Sequence, residues 1–168
     1  MKTETKMTGL DGVLELLQKL PAEVVSKRGG PVRRAVRKGA ILIREEAKAQ
    51  MIARGNSPGK TEINYATGFT AGHIIIKRTK LTNIKGERFV VTVRPAVHPG
   101  GRKFRGKPLK ANDVAFMLEA GTSKQPAEPW LRPAFAVKRE EAAQLMVTEL
   151  RTSLDRIVKK LAKRNARR

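Results

Sequence analysis

Apolar residues recur at three- and four-residue spacing in two stretches near the N-terminus. Leu10, Val13, Leu14, Leu17 and Leu20 follow Thr8, whose hydroxyl can cap a helix, and Pro21 ends the pattern. Residues 26–30 form a turn. Pro31 suits a first helical position, and Val32, Ala35, Val36, Gly39, Ile43, Ala47 and Met51 then draw a longer second helix to about Ala53. Gly55-Asn56-Ser57-Pro58-Gly59 breaks this stripe, so residues 60–71 read as loop with an extended part. His73 to Thr79 is isoleucine-rich and Arg88 to Arg94 alternates around Phe89, Val91 and Val93; residues 83–86 join the two as a hairpin. Pro95, Pro99, Gly100, Gly101, Gly106 and Pro108 make residues 95–110 a long loop without elements of its own.

Val114 to Glu119 is a short, mostly apolar run of strand length. Ala120-Gly121-Thr122 closes it with a residue that tolerates positive φ, which predicts a further strand and a tight bend. Pro126 and Pro129 force extended or turn conformations on their predecessors. Leu131, Phe135, Ala142, Met146, Leu150, Leu154, Ile157 and Leu161 then mark a long C-terminal helix, with Pro133 in its first turn and room for a kink near Ala136. The expected fold class is α+β: two N-terminal helices, a small antiparallel β-sheet and a long C-terminal helix packed on the sheet. The expected organisation is a disordered segment 1–7, a single domain 8–162 with a basic loop 95–112, and a basic tail 163–168.

Composition sharpens this picture. A chain of 168 residues with 40% hydrophobic content can bury about two thirds of its unfolded surface in one core. The formal charge of +21 implies acidic partners or nucleic acid, because a compact chain so charged repels itself. Three runs of seven cations, each free of acids, equal the whole excess: Lys27 to Arg44, Arg88 to Lys110, and Arg156 to Arg168. In the second run, Arg102, Lys103, Phe104, Arg105, Lys107 and Lys110 set an aromatic among cations on a glycine-loosened loop. That combination suits phosphate contact and an acidic neighbouring subunit equally. The first and third runs also read as solvated helix faces and a ragged tail.

The sequence offers little for catalysis. Cysteine is absent, which removes disulfides and thiolate metal sites, and no run approaches the roughly 18 apolar residues of a membrane span. His73 and His98 are the only histidines and neither has a second ligand at metal spacing, so both read as structural. Asp113 and Glu119, if extended, stand about 20 Å apart, too far for paired acid–base work. Gly59-Lys60-Thr61 lacks the first glycine of a phosphate-binding loop. No cofactor is expected, and the chain reads as a non-enzyme.

The stretch FMLEAGTSKQPAEPWLRPAF, residues 116–135, resembles the signature of a phage tail-component family. Its members are small neck and tail-completion proteins of long-tailed bacteriophages, related to phage lambda's minor tail protein Z. Gly9-Leu10-Asp11-Gly12-Val13, Gly39-Ala40 and the TGFTAGHI segment from Thr67 fit the family's order, so the resemblance spans roughly residues 8–160. Where the family carries a Tyr-Ala pair, this chain has Asp113-Val114-Ala115-Phe116. The resemblance implies a structural virion protein, a tail-completion or head–tail joining component made in the host cytoplasm. It implies a ring, six-membered because tails are sixfold, that meets a tail-terminator or tail-tube protein, a connector or head-closure protein, and double-stranded viral DNA or acidic neck partners. Glu119, Gly121, Thr122, Pro129, Trp130, Leu131 and Pro133 would make its subunit or partner contacts. The alternative, resting on charge alone, is a non-virion nucleic-acid-binding module.

Overall fold

A computed structural model of the chain describes residues 30–55, 68–79, 87–99, 103–104, 106–123 and 125–166. The first expected helix, the disordered segment 1–7, the turn at 83–86, Arg102 and Arg105 lie outside the described residues. The remaining architecture is α+β: helix α1 (Gly30–Gly55), strands β1 (Ile74–Thr79) and β2 (Arg88–Val93), two-residue strands β3 (Lys103–Phe104) and β4 (Lys107–Pro108), helix α2 (Ala111–Ala120) and helix α3 (Leu131–Asn165). No helix among the described residues is long and apolar enough to cross a membrane.

α1 holds Pro31 near the start of its described residues, and Ala35, Gly39, Ala47 and Met51 of the expected stripe are buried, with Val32, Val36 and Ile43 half-buried and Ala40 buried beside them. It packs against α3. Gly39 faces α3 closely: an added Cβ would stand 2.1 Å from Met146 Cε and 3.2 Å from the Ala142 carbonyl oxygen. Only hydrogen fits there, so the backbones approach because residue 39 has no side chain. Ala35, Leu150 and Leu154 form a small core toward the start of α1, and Lys38 pairs with Glu149 across the same seam. α3 runs unbroken for 35 residues, so Pro133 is absorbed in its first turn and no split occurs near Ala136.

β1 and β2 pair antiparallel in one register, from Ile74 opposite Val93 to Thr79 opposite Arg88. At the outer end Glu87 accepts from Arg78 Nε at 2.6 Å and Nη2 at 2.7 Å. At the inner end Ile74 and Val93 enter the larger core with Ala47 and Met51 of α1, Val114 and Leu118 of α2, Trp130 and Ala134. The long C-terminal helix therefore lies along α1 and reaches the sheet's core through its first turn.

Three expectations need correction. Val114 to Glu119 is not a strand but the body of α2, in which Ala111, Val114, Ala115 and Leu118 are buried. Those positions follow the three- and four-residue helical period, and Ala, Leu, Met and Glu are strong helix formers; a six-residue apolar run alone does not separate the two periods. The Lys110 amide donates to Asp113 Oδ2 at 3.2 Å, an N-terminal cap for this helix. On a helix Asp113 and Glu119 are offset by only about 9 Å of rise, yet each serves a different helix end. Second, residues 95–110 are not wholly irregular. β3 and β4 pair there and Val97 bridges to Lys110. Third, residues 68–71, expected as loop, are helical.

Candidate functional site: the corner between α2 and α3

Between α2 and α3 the chain turns a corner in which each helix end is completed by residues of the other side. Helices leave amides unpaired at their start and carbonyls unpaired at their finish. α2 ends at Gly121, φ +75°, whose amide donates to the Met117 carbonyl at 2.8 Å. A Cβ on Gly121 would stand 2.7 Å from the Ala127 amide nitrogen, so both conformation and space require glycine. Thr122 and Gln125 then exchange backbone hydrogen bonds of 2.8 and 3.3 Å, a closed turn that brings Glu128 back to donate to the Leu118 carbonyl at 2.7 Å.

The start of α3 is completed by Glu119. Its Oε2 accepts from the amides of Trp130 at 2.8 Å and Leu131 at 2.9 Å; its Oε1 accepts from the Arg132 amide at 3.3 Å and Arg132 Nε at 2.8 Å. Arg132 Nη2 also donates to the Glu119 carbonyl at 2.8 Å. Burial pushes the Glu119 carboxyl up, but the bonds from Leu131, the Arg132 side chain, Trp130 and the Arg132 amide outweigh it and hold the carboxyl below its ordinary value. A carboxylate here also meets the positive end of the helix dipole. Trp130 locks the joint: it is 3% exposed, and its indole Nε1 donates to the Ala115 carbonyl at 3.0 Å.

The structure thus brings together Glu119, Gly121, Trp130 and Leu131 as one intramolecular joint. Pro129 and Pro133 flank it half-buried, and Thr122 is exposed. Arg132 belongs to the same joint although the sequence did not single it out; its place two residues after Trp130, inside the first helical turn, was the available signal. The partners of Glu119 were invisible because they lie across the turn, eleven to thirteen residues away.

The basic residues separate into two regions. Lys103, Lys107 and Lys110 are exposed on the β3–β4 hairpin and at the start of α2. Arg33, Arg34 and Arg37 are exposed on the first turns of α1, which pack beside Leu150 and Leu154. Just beyond those leucines, Arg156, Lys159, Lys160, Lys163 and Arg164 line an open hollow of about 550 Å³. Among the described residues, the fold therefore gathers cations from two runs far apart in sequence at one end of the α1–α3 pair.

A third cluster was also unforeseen. His98, a loop residue as expected, is 2% exposed, with Nε2 3.5 Å from Thr70 Oγ1. The Phe69 ring packs at a tilt against both histidines, its centroid 4.3 Å from each of theirs, and His73 Nδ1 lies 2.8 Å from the Phe69 carbonyl oxygen. This trio ties the residue 68–72 turn to the long loop. Among the described residues no three His, Cys, Asp or Glu side chains converge as a metal site. No family model, curated protein or solved structure matches this chain.

Proposed function

We propose that this chain is a structural component of a bacteriophage neck or tail, a tail-completion or head–tail joining protein that acts by assembly rather than turnover. The observation that carries the reading is the corner itself. The residues whose order resembles the tail-component signature, from Glu119 to Pro133, are those that complete two helix ends and bury Trp130. That pattern is explained by a rigid scaffold and asks for no reacting group. Copies would form a sixfold ring at the head-proximal end of the tail, between a tail-terminator or tail-tube protein and a connector or head-closure ring. Basic surfaces would face acidic neighbours or the DNA passing through, where weak phosphate contacts multiply around a ring. Assembly would take place in the host cytoplasm and the mature location would be the virion.

One observation favours a second reading. The joined cation runs of α1 and α3 form a basic end suited to phosphate without any virion, as in a free nucleic-acid-binding module. Mass spectrometry of gradient-purified particles and tail intermediates from the phage encoding the chain separates the two. The virion reading expects the polypeptide in both at a fixed low copy number, and its absence from both contradicts that reading.

A further inference from the structure

Past Leu154, α3 changes character. It buries Leu150 and Leu154 against Ala35 of α1, and antiparallel packing brings Gly30 level with about Ile157. The last turns of α3 run beyond that described start of α1. From Asp155 to Ala166 every described side chain except half-buried Ile157 is exposed. Arg156, Lys159, Lys160, Lys163 and Arg164 line the hollow of about 550 Å³ there. Their steps of three, one, three and one residues put all five on one arc of the helix, about 140° wide, with Lys159 and Arg164 at its two edges. Among the described residues, no carboxylate pairs with any of them. Lys163 and Arg164 suit the negative end of the helix dipole, but Arg156, Lys159 and Lys160 stand before the last turn, where that effect has faded.

We propose that this end of α3 enters the major groove of duplex DNA and holds the phosphates on both sides. The inference rests on the part of the reading above in which the basic end meets nucleic acid, and it assigns the form and the groove. A helix with its side chains is about 10–12 Å across, and the major groove of B-form DNA is about 12 Å wide. With the arc turned inward, Lys159 and Arg164 diverge toward opposite strands and the three cations between them face the groove. Arg33, Arg34 and Arg37 of α1, exposed nearby, would meet the flanking backbone. Other nucleic acids fit worse. The major groove of A-form RNA is deep and too narrow for side chains to read. Single strands are held by stacking on aromatic side chains, and residues 155–166 contain none. The arc also carries no Asn or Gln to read adenine, so its contacts are with phosphate and depend on salt more than on sequence.

Fluorescence anisotropy of the nuclease-treated full-length protein tests this with a short DNA duplex, the same duplex in RNA and one of its DNA strands. At equal salt the DNA duplex is expected to bind several-fold more tightly than either of the others. Changing Lys159, Lys160, Lys163 and Arg164 together to Gln is expected to lower the slope of log K against log salt by about 3–4, four contacts at about 0.9 each. The control Lys103→Gln with Lys107→Gln is expected to keep the wild-type slope. Equal affinity for the three forms, or an unchanged slope in the α3 variant, overturns the proposal while leaving nucleic-acid binding in place; no binding to any form removes both. A second measurement uses the wild-type protein alone. Methylation of guanine N7, which lies in the major groove, is expected to slow several-fold on a saturated DNA duplex, and an unchanged rate overturns the groove assignment. The virion reading is decided separately, by the particle composition.

Discussion

Glu119 accepts four hydrogen bonds from the start of α3 and its first arginine, a concentration of donors that ties stability to its charge. The folded carboxyl sits below its ordinary value, so its contribution is complete above the unfolded value of about 4.3 and is lost as pH falls through the folded one. Glu119→Gln is therefore expected to flatten the fall in Tm between about pH 5 and pH 3; parallel wild-type and variant curves would remove this role. At neutral pH Glu119→Ala is expected to cost about 0.5–2 kcal/mol in urea unfolding, the range of a lost helix cap. Trp130→Ala should cost more, about 3–5 kcal/mol, since it empties a buried site and frees the Ala115 carbonyl of its indole partner. The sequence made the glycine, the tryptophan and the carboxylate visible as a set. It did not reveal that the carboxylate completes a helix of its own chain, because capping partners across a turn leave no spacing pattern.

At the scale of elements, long periodic segments were legible and short ones were not. α1 and α3 repeat their apolar spacing over many turns, and a mistaken position or two does not blur a stripe of that length. α2 offers only ten residues, of which the apolar run covers six, and tertiary burial on one face decided for helix. The β3–β4 hairpin is shorter still, with two residues a side, below what alternation can signal. Gly39 was readable as part of the α1 stripe, but its reason, contact with Met146 and the Ala142 carbonyl, belongs to the partner helix. Gly39→Leu is expected to push α1 and α3 apart and lower stability by about 1–3 kcal/mol, the usual cost of overpacking. A chemical-denaturation midpoint at or above wild type would show that the seam is looser than described.

Across the whole molecule, charge is distributed by the fold rather than by the chain. Sequence shows three cation runs, and only packing shows that Arg33, Arg34 and Arg37 of the first lie near Arg156, Lys159, Lys160, Lys163 and Arg164 of the third, while Lys103, Lys107 and Lys110 of the second stand on a separate hairpin and at the start of α2. This arrangement makes the two regions separable by mutation. If the joined end carries phosphate contact, changing Lys159, Lys160, Lys163 and Arg164 to Gln should weaken DNA retention, and each lost contact should lower the slope of log K against log salt by about 0.9. Changing Arg102, Lys103, Arg105 and Lys107 to Gln tests the loop in the same way, and unchanged retention at low salt in both variants would leave acidic proteins as the partners. The central claim, assembly into a ring, is tested most directly by light scattering on nuclease-treated protein after size exclusion. A discrete oligomer of the 18.6 kDa chain, six copies by the resemblance, is expected without nucleic acid. A monomer whose mass rises only when nucleic acid is added would contradict the claim.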